Sequence, residues 1–209
     1  MKMVLASKNS HKLAEMSAIL SQLGVEVVLE ADVGVDVDVE ETGETFEENA
    51  ALKAEAVMRA SGLPAIADDS GLCVTALGGG PGVYSARYGG EGLTDKERYG
   101  LVLAGLTGQV DRSAKFVSCI CCAFPNGDKL TARGECPGLI TYSPRGEDGF
   151  GYDPVFLVPE KRKTFAQMTG EEKNAISHRG RALEKFKAEL EKYLAAQGGE
   201  QGKAGEDNG

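Results

Sequence analysis

Short apolar segments alternate with helix-forming segments at both ends of this chain, and a hairpin pattern lies between them. That alternation predicts an α/β fold with a central mixed sheet flanked by helices. Met3 to Ala6 reads as a buried strand, followed by a polar loop, Ser7 to His11. In the helix that follows, Leu13, Met16, Leu20 and Leu23 share one face before Gly24 ends it. Val25 to Leu29 is a second strand. Thr45 and Glu48 have capping-box spacing for a helix ending near Gly62, and Thr94 and Glu97 repeat it for a helix to about Leu106. After Pro64 a brief PAIA strand is expected to break in a sharp turn at Asp68-Asp69-Ser70-Gly71 and to resume as Leu72 to Leu77. Residues 114 to 136 read as a hairpin turning at Asn126-Gly127, and Val155 to Val158 as a strand. Ser177 can cap a last helix with Leu183, Phe186, Leu190 and Tyr193 on one face.

With 209 residues, 42% of them hydrophobic, the chain can close a substantial core. Residues 1–197 read as a single two-lobed domain, and 198–209, GGEQGKAGEDNG, as a disordered tail with almost nothing to bury. The apolar runs fall far short of the roughly 20 residues that cross a bilayer. The amino terminus enters the strand-like MKMVLAS with no apolar core of signal-peptide length, so a cytoplasmic location is expected. A net charge of -9 disfavours a nucleic acid partner, because phosphate-backbone binding needs a surplus of Lys and Arg. The cysteines at 73, 119, 121, 122 and 136 are odd in number and read as reduced thiols. Cys119 and Cys122 spell C-x-x-C, but in a strand residues three apart face opposite ways, so packing is the reading for both.

Four constellations can carry chemistry. Ser7, Lys8, Asn9, Ser10, His11 and Lys12 lie between a strand and a helix start, where free N–H groups, the helix dipole and lysine suit a phosphate. Glu40, Glu41, Asp68 and Asp69 offer carboxylate oxygens of the kind Mg²⁺ takes together with water and substrate phosphate. One of the aspartates can also orient or deprotonate a water, and the adjacent pair can titrate as a unit. Asp32, Asp36 and Asp38 read as solvated surface. In FGYDP, Phe150 or Tyr152 can stack on a base, or the pair can close the core beneath the loop. Gly149 and Gly151 allow close backbone approach. Lys173 with Ser177, His178 and Arg179 gathers cations and hydrogen-bonding groups suited to a phosphate or a purine edge.

Five stretches in order, LASKNSHKLAEM, EETGETFEENA, ADDSGL, GVYSARY, and GFGYDPVF followed by EEKNAISHRGRAL, strongly resemble the Ham1-like inosine triphosphate pyrophosphatases. The resemblance runs from Leu5 to about Leu190. It implies an elongated α/β fold with a cleft between two lobes, usually a homodimer. It further implies Mg²⁺-dependent hydrolysis of a purine nucleoside triphosphate at the α-phosphorus, with ITP, dITP and XTP preferred. Carried onto this sequence, it has Ser7 to Lys12 hold the phosphates, Asp69 act as general base and, with Glu40, serve the metal. Ser70 would contact substrate, and Phe150, Gly151, Tyr152 and Asp153 would enclose the base. Lys173, His178 and Arg179 would complete the pocket, with Glu41, Asp68, Asn49 and Lys53 in support. One departure stands out: the family loop is commonly T-G-N-x-G-K, and here Lys8 and His11 occupy its glycine positions. A modified-pyrimidine triphosphatase of the same architecture and a non-catalytic nucleotide-binding module are the alternatives.

Overall fold

Where apolar residues run or alternate between breakers, the chain forms strands, and these assemble into one seven-stranded sheet. The computed structural model describes residues 1–203, with side chains to residue 197. The strands are β1 (Lys2–Leu5), β2 (Glu26–Leu29), β3 (Ala65–Val74), β4 (Ser113–Ala123), β5 (Lys129–Ile140), β6 (Phe156–Val158) and β7 (Lys163–Thr164). They lie in the order β2-β1-β3-β4-β5-β6-β7. β1 is parallel to β2 and β3 and the remaining pairs are antiparallel, which makes the sheet mixed.

Local chemistry sets the helix starts. In α1 (Ser10–Leu20) the Asn9 side chain accepts from the His11 and Lys12 amides. α2 (Phe46–Ser61) opens with the reciprocal Thr45 and Glu48 box and ends on Gly62 at φ 68. α3 (Asp95–Gly105) carries the Thr94 and Glu97 box. The sequence reading passed over α4 (Gly170–Asn174), which Thr169 and Glu172 cap in the same way. α5 (His178–Lys203) follows Ser177, whose Oγ accepts from the Gly180 amide at 3.1 Å. Its backbone continues past Gly198, where the tail was expected to begin; residues 204–209 of that tail lie outside the described residues.

The strand pleat sends alternate side chains to two covers. On one face Met3, Leu5, Ile66 and Ile120 meet Met16 and Leu20 of α1 and Leu183, Phe186 and Leu190 of α5. On the other, Val4, Ala65, Ala67 and Cys121 meet Ala50, Ala54 and Val57 of α2. A further core at the far end of the sheet joins Leu72, Phe116, Val155, Phe156, Phe165 and Val102. Cys122 packs under α1 and α5 while Cys119 packs with Phe46, so the C-x-x-C is split between faces, and all five thiols are free.

One expectation is corrected. The ADDSG segment is not a turn: β3 is continuous from Ala65 to Val74 and pairs residue for residue with β4 from Ala123 to Ala114. The local turn preference of Asp, Ser and Gly is overridden because β4 pairs with their backbones and side chains elsewhere satisfy their polar groups. Gly71 is needed for contact rather than for turning. A Cβ there would collide with the Gly82 carbonyl and Ser85 Oγ and lie 2.9 Å from Phe46 Cε1. Gly71→Ala is therefore expected to destabilise the fold by about 1–3 kcal/mol, the usual overpacking range, measured as a lowered urea midpoint.

Candidate functional site

β1 ends at Leu5 opposite Ile66, but β3 runs on to Val74, so from Asp68 onward β3 has no strand on that edge, which the 80–85 segment covers only from Leu72 on. Open backbone groups beyond the carboxyl end of a parallel strand make a natural place for ligands. The Asp68 carbonyl accepts from Lys12 Nζ at 3.0 Å and Lys53 Nζ at 3.3 Å. Farther along, the Leu72 amide donates to Ser85 Oγ at 2.8 Å and the Val74 amide to the Gly80 carbonyl at 3.0 Å. Strand alternation turns the Ser70 amide to this same edge.

Because β3 is extended, Asp68 and Asp69 point to opposite faces, and their surroundings separate them. Asp68 faces α5 and is buried. Its carboxylate accepts from Ser118 Oγ at 2.6 Å, Arg179 Nη2 at 2.8 Å and Nε at 3.0 Å, and Ser70 Oγ at 3.1 Å, with Lys12 Nζ 3.1 Å away. Burial opposes its charge, yet Arg179 and Lys12 hold its carboxyl well below the usual range. It is a saturated structural anion with no capacity left for a water's proton.

Asp69 faces α2. Its Oδ1 accepts from Lys53 Nζ at 2.7 Å, and its Oδ2 is buried without a partner among the described residues. Burial pushes its carboxyl up to about 6 against the pull of Lys53. The same ammonium donates to Glu41 Oε1 at 2.7 Å, and Arg87 Nη1 holds Glu41 Oε2 at 2.8 Å. Lys53 and Arg87 together outweigh the burial of Glu41 and keep it below its ordinary range. Asn49, one turn before Lys53 on α2, is buried and accepts from the Gly43 amide at 2.8 Å through Oδ1, which ties the loop after Glu41 to the helix. Glu40 is exposed, and its carboxylate makes no ion pair among the described residues.

The free edge opens into a cleft of about 770 Å³. Ser7, Lys8, Asn9, Ser10, His11, Lys12, Ser70, Phe150, Gly151, Tyr152, Asp153, Lys173, His178 and Arg179 all line it. Phe150 stacks on His11 at 5.3 Å, and Lys173 Nζ lies 4.6 Å from its ring centre. Tyr152, the other aromatic in FGYDP, is buried and donates its hydroxyl to the Ser85 carbonyl at 2.7 Å, so Phe150 is the ring left for a base and Tyr152 closes the core. Asp153 accepts from Lys173 Nζ at 2.8 Å and the Phe150 amide at 3.0 Å. That turn requires glycine at 149, where φ is 79 and a Cβ would strike the Asp153 carboxylate. His178 stacks on Phe116 at 4.6 Å; burial, with Arg179 beside it, drives its pKa well below the usual value and keeps the ring neutral.

The Ham1 family model matches residues 3–189 of the 209. This chain belongs to the Ham1 family. A dITP/XTP pyrophosphatase of an Exiguobacterium species is 47% identical over 93% of this chain and 99% of its own length. One from a Synechocystis species is 50% identical over 88% of this chain and 92% of its own. Among solved structures, the Ham1 protein of Coxiella burnetii superposes with a TM-score of 0.85 at 46% identity, covering 92% of this chain and 99% of that one. The Ham1 protein of Staphylococcus aureus gives 0.84 at 43% identity, covering 92% of this chain and all of that one.

The 7–12 loop is built without backbone strain at Lys8 or His11. Of the described non-glycine residues only Arg162 has a positive φ, so neither Lys8 nor His11 takes the left-handed angles that favour glycine. The sequence reading missed several residues of this Ham1 site. Glu15 pairs with Arg179 and lies 3.7 Å from Lys173; Ser118 and Ser85 fix β3; Arg87 holds Glu41; Asp95 accepts from the Gly151 amide at 2.7 Å. Glu15 falls one helical turn after Lys12, the one spacing that could have pointed to it. Ser85 and Arg87 lie within GVYSARY, whereas Ser118 and Asp95 are single residues brought in by tertiary pairing.

Proposed function

We propose that this chain is a nucleoside triphosphate pyrophosphatase that hydrolyses non-standard purine nucleotides, ITP, dITP and XTP, to the monophosphate and pyrophosphate. In this reading it acts as a homodimer on the cytoplasmic nucleotide pool and keeps such bases out of DNA and RNA. The observation that carries it is the division of labour on β3: one aspartate is saturated by cations, and its neighbour, next in the strand to the cleft-lining Ser70, keeps a buried oxygen without a partner among the described residues. A general base works best with a pKa near the operating pH, and Asp69 meets that condition while Asp68 does not.

Mg²⁺ fits this donor set. Asp69 offers the unpartnered Oδ2 and Glu40 a carboxylate free of protein partners among the described residues, whereas Glu41 is committed to Lys53 and Arg87. No three His, Cys, Asp or Glu side chains among the described residues close around a cation, so the remaining ligands would have to come from water and phosphate. Held by Asp69 and Glu40, the ion would neutralise the polyphosphate. Asp69 takes the proton of the attacking water. Lys12 and Lys53, which meet at the Asp68 carbonyl on the edge of β3, are placed to balance the charge of the departing pyrophosphate. Phe150 stacks on the base. Lys173 and Arg179 can only donate, which favours the oxygen at purine C6 over the amino group of adenine.

Hydrolysis of ITP in ¹⁸O-water tests the bond that breaks. Label in the monophosphate supports attack at the α-phosphorus; label confined to pyrophosphate overturns it. EDTA is expected to abolish turnover, with recovery on adding Mg²⁺. Phe150→Ala is expected to raise KM for ITP about 5- to 100-fold, the value of one base stack, seen in initial rates against substrate concentration. Sedimentation tests the dimer: a particle of twice the chain mass is expected, and a monomer at every concentration rejects it.

A further inference from the structure

The cations of the cleft differ in how firmly they are held. Lys12, Lys173 and Arg179 each lie against a buried carboxylate, Arg98 donates to the Tyr88 carbonyl, and none of their side chains is more than 17% exposed. Lys8 is the contrast. Its Nζ lies 2.7 Å from Asp36 Oδ1, and the two side chains are 73% and 81% exposed. An ion pair so exposed contributes little and is readily exchanged.

The position of Lys8 says what the exchange would be for. It stands in the partition between two hollows: the cleft, and a second one of about 490 Å³ lined by Ser7, Leu29, Glu30, Gly34, Val35 and Asp36. In the structure its ammonium is parked with Asp36 in the second hollow. The residue itself precedes Asn9, whose side chain caps the His11 and Lys12 amides of α1, and it lies at the end of the cleft where the positive end of the helix dipole and Lys12 favour an anion. A polyphosphate brings several charges to that end, against the single charge of Asp36, and forms stronger charge-assisted hydrogen bonds.

We propose that Lys8 is an exchangeable phosphate ligand, held by Asp36 in the free protein and transferred to the outermost phosphate when a polyphosphate enters the cleft. Asp36 is then a competitor for that lysine and tunes affinity downward. This inference rests on the polyphosphate-handling reading above, and deepens it by naming a contact that a glycine at this position could not make.

Binding of inorganic triphosphate by calorimetry, on the parent, Lys8→Met, Asp36→Asn and the double variant, tests it. Both side chains are largely exposed, so the core packing stays intact. Lys8→Met is expected to weaken binding about 5-fold and Asp36→Asn to tighten it about 3-fold, the scale of one exposed charge contact. The double variant is expected to match Lys8→Met, because Asp36 acts only through Lys8. Equal tightening by Asp36→Asn with and without Lys8 would show simple repulsion between Asp36 and the ligand and overturn the exchange. Unchanged binding in Lys8→Met would remove the contact. Pyrophosphate release from ITP by the parent is a separate result, so the enzymatic reading can fail or stand independently.

Discussion

Asp69→Asn is expected to lower kcat for ITP by about 10²- to 10⁴-fold, the range for losing a general base, while the protein stays folded and still binds nucleotide. The amide fills the same space and can still accept from Lys53, and Glu41 keeps that ammonium paired. Stability supports the distinction. Burial raises the folded pKa of Asp69 to about 6. Its contribution to stability is therefore fully present below its unfolded value and is lost as pH rises through about 6. At neutral pH the asparagine variant, spared that loss, is expected to melt close to the parent. In the free parent enzyme kcat/KM is expected to fall as pH drops below about 6, when Asp69 takes up its proton. Thermal melts and initial rates across pH check all three statements, and near-parental turnover in a folded Asp69→Asn protein would remove Asp69 from the chemistry.

The second large effect is on stability. Arg179→Ala strands the Asp68 carboxylate, which keeps only Lys12, Ser118 and Ser70 within a fully buried site. Removing one member of a buried ion pair typically costs about 3–5 kcal/mol. We expect a loss of that size in urea unfolding at neutral pH, together with loss of ITP hydrolysis. Asp68→Asn in the same chain is expected to restore part of the stability but not the activity, since the stranded carboxylate is then removed while Lys12 and Glu15 have each lost a partner. The pH dependence has the opposite sign to that of Asp69. The folded pKa of Asp68 is depressed, so its contribution is present above the unfolded value and is lost as pH falls through the folded one. An Arg179→Ala protein as stable as the parent would mean that Asp68 does not depend on that guanidinium.

What the sequence made legible follows the range of the interactions concerned. The caps of α2, α3 and α5 were readable because a cap involves residues within four positions of one another. All the residues expected to bind substrate line one cleft, since the motifs that hold them sit at strand and helix ends. The ADDSG segment was misread because its turn chemistry is local, whereas the pairing with β4 that overrides it spans some fifty residues of chain. That error also hid the roles of the aspartates: a turn leaves them equivalent, but an extended strand sends them to opposite faces and assigns the free carboxylate to Asp69. Glu40 and Glu41 were likewise ambiguous until the fold turned Glu41 inward to Lys53 and left Glu40 exposed. Asp95 and Ser118 lie outside every motif, and Arg87, although inside GVYSARY, is brought to Glu41 only by the tertiary structure.

The most direct test of the account is pyrophosphate release by the purified protein from ITP, dITP, XTP, ATP, GTP, dUTP and dTTP under the same conditions, with Mg²⁺ present. The account predicts rapid release from ITP, dITP and XTP with little from ATP and GTP; turnover confined to a pyrimidine triphosphate, or nucleotide binding with no turnover at all, would contradict it.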